Sequence, residues 1–213
     1  QKIFPKSVYL NKFGTVTIYE LAGKKISVGP IEITTYRIDE KYSDQRHPDA
    51  VKFTPNLKED LARRDFTINA MALKLKNLKL KIENYEVIDP YNGQADLKNK
   101  VIRAVGEPEK RFREDALRLL RAIRFATILD YQIENKTRQA IRRNASLLSR
   151  VSPERIRDEL IKIIVSNRPA EGIEMLKTAG LLQYILPELE QGIDISQNKH
   201  HIYTVYKHCI LSL

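Results

Sequence analysis

The sequence contains one cysteine, Cys209. A single thiol closes no internal disulfide, and it excludes a zinc site built from several cysteines. A cytoplasmic setting is the simplest reading of that usage. Long apolar runs are missing too. The run at 160–165 is interrupted by Lys162, so no membrane span fits, and no signal peptide is visible at the first residues. Glycine numbers only eight in 213 residues, with no Gly-Gly or Gly-Ser dipeptide, and there is no Asp-x-Asp pair. The usual phosphate-cradling and two-metal signatures are therefore absent. Residue 1 is Gln, and the helically spaced stretch 203–213 stops without Gly, Pro or a polar cap. These ends read as those of an internal piece of a longer protein, a frayed genuine C-terminus being the alternative.

What is present is a globular balance, 42% apolar and 30% charged residues, which excludes disordered and collagen-like classes. The length suits one large domain or two small ones. Net charge is +10 and unevenly placed: residues 98–168 hold 18 Lys and Arg against 9 Asp and Glu, a net of +9. A basic block in a helical region is an electrostatic footprint for a polyanion, with a solvated helix face as the alternative. No aromatic-rich amphipathic face accompanies it, which disfavours a membrane surface.

The first third alternates as short strands at 15–19 and 31–37, punctuated by Gly14, Gly23, Gly29 and Pro30. In the second strand Glu32, Thr34 and Tyr36 share the polar face. A polar loop is expected at 39–49, a helix at 57–64, and a strand at 85–89 that ends in an Asn92-Gly93 turn. Residues 66–75 suit a strand or a continued helix, and 99–105 closes the β-rich part. From Glu107 the period becomes 3.6. Phe112, Ala116, Leu119, Leu120, Ile123 and Ala126 predict one stripe on a single helix of five or six turns. Further helices are expected at 135–148, from Ser152 as N-cap with Ile156, Leu160, Ile163 and Ile164 buried, and from Pro169 to a stop at Gly180. Strand runs followed by helix runs argue an α+β fold.

Several constellations carry possible chemistry. Asp115 and Arg118 lie three apart, on one face of the expected helix. A carboxylate accepts from an exocyclic amine and a guanidinium donates to a ring nitrogen or carbonyl, so the pair can select cytosine and adenine over uracil and guanine. The alternative is an ordinary surface ion pair. Arg63, Arg64 and Asp65 suit a triphosphate and ribose hydroxyls, or simply a basic helix C-terminus. Glu32 is a lone hint of a metal carboxylate. His200, His201 and His208 lack neighbouring Asp or Cys and read as ordinary surface histidines rather than metal ligands.

Taken together, these residues resemble the bacterial class II tRNA nucleotidyltransferases: CCA-adding enzymes with their A-adding, C-adding and poly(A) polymerase relatives. Asp60-Leu-Ala-Arg-Arg-Asp-Phe-Thr-Ile-Asn-Ala-Met-Ala72 is similar to the second family motif. Asp89-Pro-Tyr-Asn-Gly93 is similar to the third. Arg111-Phe-Arg-Glu-Asp-Ala-Leu-Arg-Leu-Leu-Arg-Ala-Ile-Arg-Phe125 is similar to the fourth, whose Glu-Asp-x-x-Arg is an amino-acid template for the incoming nucleotide. Ser152-Pro-Glu-Arg-Ile-Arg-Asp-Glu-Leu160 matches the helix that follows.

The resemblance implies roles. Glu32 falls on a metal-site and catalytic carboxylate. Arg63, Arg64, Asp65, Asn69, Glu114, Asp115, Arg118 and Arg121 fall on nucleotide-binding positions. Arg142, Arg143 and Arg155 fall on RNA-binding positions, Arg46 in a flexible loop, and Asp89 and Gly93 at a hinge. It implies a partial nucleotidyltransferase head at 1–98, a helical neck at 99–168 and the start of an HD-type body at 169–213. It further implies transfer of CMP and AMP from CTP and ATP to the 3′ end of tRNA with Mg²⁺. A poly(A)-adding enzyme and a non-catalytic RNA-binding fragment are the alternatives. The family's first motif, with its Gly-rich loop and Asp-x-Asp, is missing. The chain alone is therefore expected to be inactive, its N-terminal carboxylates coming from another segment or chain.

Overall fold

The computed structural model describes residues 7–10, 14–21, 24–25, 29–40, 50–75, 85–198 and 202–213. The chain divides into two compact units, one of residues 1–41 with 48–63, the other of 42–47 with 64–213. The order of elements, strands first and helices after, is α+β as the sequence predicts.

In the first unit, β1 (Ser7–Leu10), β2 (Thr15–Ile18) and β5 (Ile31–Thr34) form an antiparallel sheet with β2 in the middle. The β-branched residues of β2 suit a central strand, and Thr15, Thr17 and Ile18 are buried. Two short strands, β3 (Glu20–Leu21) and β4 (Lys24–Lys25), pair with each other. The expected strand at 31–37 is two strands. After β5 the chain changes partner, and β6 (Arg37–Glu40) pairs with β7 (Ala50–Phe53) instead of β2. Asp39 and Glu40, expected in a loop, belong to β6; the remainder of that loop, Arg46 included, lies outside the described residues. The helix expected at 57–64 is shorter, α1 (Leu57–Ala62), started by Asn56, whose side chain accepts from the Lys58 N–H, and closed by Arg63.

The second unit begins where the sequence was ambiguous. Residues 66–75 resolve into a 3₁₀ turn, Thr67–Asn69, and β8 (Ala72–Leu75), which pairs with β9 (Tyr85–Ile88). The Asn92-Gly93 turn is also a helix start: α2 (Gly93–Lys98) follows directly on Asn92, which is left-handed at φ 60°. The helix forms because the Asp89 carboxylate accepts from the N–H groups of Gly93 (2.7 Å) and Gln94 (2.9 Å). Gly93 is required there, since a Cβ would come within 2.3 Å of the Thr67 carbonyl oxygen. Next, β10 (Val101–Ile102) pairs in parallel with β11 (Gln132–Ile133), a contact no local pattern announced.

The long helix expected from Glu107 is two helices, α3 (Pro108–Glu114) and α4 (Leu117–Leu129). Asp115 breaks it, with extended backbone at φ −145° and ψ 105°. Its side chain accepts from the Leu117 N–H (3.1 Å) and so caps the first turn of α4. The apolar stripe survives the break: Phe112, Ala116, Leu119, Leu120, Ile123 and Ala126 are all buried. The helix expected at 135–148 is α5 (Asn135–Asn144) followed by a 3₁₀ stretch, Ala145–Arg150. In α6 (Pro153–Ile164) Ile163 is buried and Ile156 and Leu160 pack against the core as expected, whereas Ile164 is exposed and Glu159 is buried against Arg124 and Lys162. The next helix is as expected, α7 (Pro169–Thr178), with Ile173 and Leu176 inside and Gly180 at φ 71°. Two short helices, α8 (Pro187–Gln191) and α9 (Val205–Leu211), complete the chain. The core of this unit surrounds α4, which packs on α3, α6 and α7. No helix is long and apolar enough to cross a membrane among the described residues.

Candidate nucleotide site

Among the charge clusters of the second unit, three hold the expected nucleotide-binding residues. The first is centred on Asp65. The segment 65–67 is tied to 103–105 by backbone hydrogen bonds, Val105 N–H to Asp65 O (3.0 Å) and Thr67 N–H to Arg103 O (2.9 Å). That bridge fixes the buried Asp65 carboxylate. It accepts from Arg121 Nη2 (2.6 Å) and Nε (2.9 Å), Asn69 Nδ2 (3.1 Å) and the Phe66 N–H (2.8 Å). Burial pushes its pKa up; the Arg121 charge and these hydrogen bonds outweigh burial and hold the carboxyl below the usual carboxylate range. Arg64 Nη1 donates to the Asn69 carbonyl (3.1 Å). Arg121 and Arg124 both lie over the Phe125 ring, at 5.3 and 4.2 Å from its centroid. Four of the expected residues, Arg64, Asp65, Asn69 and Arg121, thus come together.

The second cluster is on α3 and α4. Glu114 accepts from Arg111 Nη2 (2.6 Å) and Arg118 Nη1 (2.9 Å), and Arg118 also donates to the Arg111 carbonyl (3.1 Å). The third is Asp115 with Arg155 of α6, whose Nη2 lies 2.9 and 3.2 Å from the two carboxylate oxygens. This corrects the expectation of an Asp115–Arg118 pair on one helix face. Asp115 stands off the helix, and Arg118 pairs with Glu114. It also places Arg155, expected at RNA, against Asp115, with only 21% of its side chain exposed.

The other expected residues are separate. In the first unit, Glu32 sits on β5 opposite Thr17 and is exposed. Arg63 donates to Asp60 (2.6 Å) and lies 3.4 Å from Asp39, a buried carboxylate pair that also holds Arg37. On α5, Arg142 Nε donates to the Thr178 carbonyl (3.0 Å), and Arg143 Nε pairs with Glu109 (2.6 Å). Asp89 and Gly93 form the capped start of α2. His208 is on α9, whereas His200 and His201 lie outside the described residues. No three His, Cys, Asp or Glu converge to hold a metal among the described residues.

Sequence reasoning missed Asp60, Arg111 and Asp96. Asp60 and Arg111 stand three residues from Arg63 and Glu114, a spacing that could have found them. Asp96, which accepts from Thr67 (2.7 Å) and pairs with Arg103, had no such signal in the Thr67 case.

Residues 1–103 match the family described as "Poly A polymerase head domain", and 130–193 match "Probable RNA and SrmB- binding site of polymerase A". The CCA-adding enzyme of Pediococcus pentosaceus is 50% identical over 153 residues, 72% of this chain and 37% of that protein. That of Streptococcus thermophilus is 43% identical over 192 residues, 90% of this chain and 44% of that protein. Among solved structures, the Bacillus stearothermophilus CCA-adding enzyme in complex with CTP superposes with TM-score 0.74 at 36% identity, covering 91% of this chain and 44% of that one. The Thermotoga maritima CCA-adding enzyme complexed with tRNA gives 0.67 at 30% identity, covering 88% and 40%. The chain belongs to the bacterial class II tRNA nucleotidyltransferases. It spans less than half the length of these relatives.

Proposed function

We infer that this chain is the nucleotide-selecting part of an enzyme that adds C and A to the 3′ end of tRNA, taking CMP and AMP from CTP and ATP in the cytoplasm. One observation carries the reading. Asp115 and Arg118 do not neutralise each other; each is held by a separate partner, Arg155 and Glu114. Held apart, a carboxylate acceptor and a guanidinium donor are pre-oriented for the complementary edge of a nucleobase. Cytosine and adenine offer an amine beside an acceptor. Uracil and guanine offer a carbonyl beside an N–H and would leave both groups unpaired.

The remaining roles follow from chemistry and resemblance. Arg64 and Arg121, with Asp65 and Asn69, suit phosphates and ribose hydroxyls, and Arg63 joins them by motif. Asp89 and Gly93 set the joint at α2. The proposed functional division, head 1–98, neck 99–168 and body 169–213, follows the family motifs and not the two compact units of the fold. Mg²⁺ is the family's ion, with Glu32 as one carboxylate. Among the described residues no group of three His, Cys, Asp or Glu forms around Glu32.

The test is binding and incorporation of labelled CTP, ATP, UTP and GTP with tRNA lacking its 3′ end. The 213-residue chain should prefer CTP and ATP in binding. Incorporation should appear only once a segment carrying Asp-x-Asp is joined or added. Equal binding of all four nucleotides would overturn the selecting role; incorporation by the chain alone would overturn the division of labour. A poly(A) primer accepted in place of tRNA would favour the polymerase relatives, the class named for the head-domain match.

A further inference from the structure

Two arginines of α4 stand near one carboxylate. Arg121 and Arg124 are three apart, neighbours on the helix surface, where like charges repel. They share the Phe125 ring, which meets the buried Phe66 edge to face with 5.8 Å between centroids. Either guanidinium is chemically fit to hold Asp65. Arg121 is the one that does, through Nε and Nη2 on a single carboxylate oxygen. Its Nη1 makes no hydrogen bond among the described residues, which leaves one donor for a phosphate oxygen.

Arg124 goes to Glu159 of α6 instead. Its Nη1 donates to Oε1 (3.3 Å), and its Nε lies 3.1 Å from Oε2. That Nε and Oε2 are fully buried and make no hydrogen bond, so charge rather than directed bonding holds this side of the pair. Lys162 Nζ is a second cation on Glu159, at 2.9 Å. Arg124 feels every charge in the group. Burial takes its pKa below the ordinary guanidinium value; Glu159 raises it, Arg121 lowers it and Asp65 raises it, in that order of strength. Asp65 thus attracts Arg124 in the arrangement seen, and Glu159 attracts it more.

We propose that Glu159 is a positioning residue of the nucleotide site: it draws Arg124 away from Asp65, so that Asp65 keeps Arg121 and Arg121 presents Nη1 to the nucleotide phosphates. Arg124 is then a competitor held in check and not a ligand. The proposal rests on the nucleotide reading above and deepens it, by giving a buried carboxylate of α6 a part in phosphate binding through two side chains of α4. Neutralising Glu159 releases Arg124 onto Asp65 and turns Arg121 out of its two-bond hold. Removing Arg124 as well undoes the damage. A carboxylate that only fastens α6 to α4 predicts no change at Asp65.

The experiment uses the full chain as wild type, Glu159→Gln, Arg124→Met and the double variant. CTP affinity is read by calorimetry, and the Asp65 carboxyl is titrated by its ¹³C shift, identified by its loss in Asp65→Asn. Glu159→Gln should bind CTP about tenfold more weakly, the usual cost of one lost hydrogen bond to a charged group. Its Asp65 should titrate lower than in wild type, because a second guanidinium favours the carboxylate. In the double variant CTP affinity should return to within about twofold of wild type, the scatter expected of a double-mutant cycle, and the Asp65 titration should return with it. Glu159→Gln matching wild type in both readouts would overturn the proposal, as would a double variant no better than Glu159→Gln. Should Glu159→Gln fail to fold, Arg124→Met decides. Asp65 should titrate there as in wild type; a rise equal to that in Arg121→Met would show Asp65 already shared between the two arginines and overturn the proposal. No CTP binding by wild type would overturn the nucleotide reading, and the Asp65 titrations would then decide the arrangement by themselves.

Discussion

Arg155 Nη2 stands 2.9 Å from Asp115 Oδ2 across 40 residues of sequence, joining α6 to the gap between α3 and α4. The same carboxylate caps α4 through the Leu117 N–H. Both side chains are largely covered, 21% and 17% exposed, so water screens the pair only in part. The pair therefore locks the break in the helix rather than decorating its surface.

Removing that lock should be felt in stability. Arg155→Gln leaves the Asp115 carboxylate without its cation and should cost about 1–3 kcal/mol in urea unfolding of the chain. Arg155→Lys, which restores a charge without the planar guanidinium, should recover part of the loss. A Gln variant as stable as wild type would show that Arg155 is not needed to hold Asp115.

Asp65 makes an acid-side prediction. Its folded pKa is below the ordinary value of 3.8, because the Arg121 charge and the hydrogen bonds to Asp65 outweigh burial. A depressed carboxylate contributes stability that is full above the unfolded pKa and is lost as pH falls through the folded one. The chain should therefore lose stability below about pH 4 more steeply than Asp65→Asn does. Urea midpoints at pH 7, 4 and 3 for both proteins check this; parallel losses would remove Asp65 from the acid transition.

At the start of α2, Gly93→Ala should be destabilising by about 2 kcal/mol or more through overpacking, since its Cβ would meet the Thr67 carbonyl and the Met71 side chain. Gly106→Ala is the control, having open space but positive φ, and should cost only the strain of that backbone. Thermal unfolding of the two variants separates close approach from backbone strain. Equal shifts would mean that the chain yields at Thr67.

Much of this was legible because it is local. The stripe from Phe112 to Ala126 predicted the core of α4, and Pro169 and Gly180 marked both ends of α7. The motif Arg64-Asp65 to Asn69 did come together. What was not legible required a partner distant in sequence. Asp115 reads as a helical residue because the apolar period runs straight through it. Only its cap on Leu117 and its ion pair with Arg155 show why the helix stops there. The parallel β10–β11 contact and the burial of Glu159 against Arg124 are of the same kind. Periodicity reports which face is apolar, and says little of which charge will meet its partner across the core.

Asp115→Ala removes the acceptor proposed for an exocyclic amine, and it also frees Arg155 and uncaps α4. Two consequences should appear together in a protein active in nucleotide transfer. Preference for C and A over U and G should fall by about 1–3 kcal/mol for the lost polar contact, which is roughly 5- to 160-fold in single-turnover rates. Stability should fall as well, more than an exposed i,i+3 pair would allow, because the Arg155 pair and the cap are lost. Asp115→Asn separates the effects. Its amide oxygen can still cap Leu117 and accept one hydrogen bond, so much of the stability should return. Its amide N–H₂ now offers a donor where uracil presents a carbonyl, so discrimination against U should be weaker than in wild type. Wild-type preference in Asp115→Asn and Asp115→Ala alike would leave Asp115 a structural residue only. Lost preference with stability restored in Asp115→Asn would place the carboxylate at the base edge.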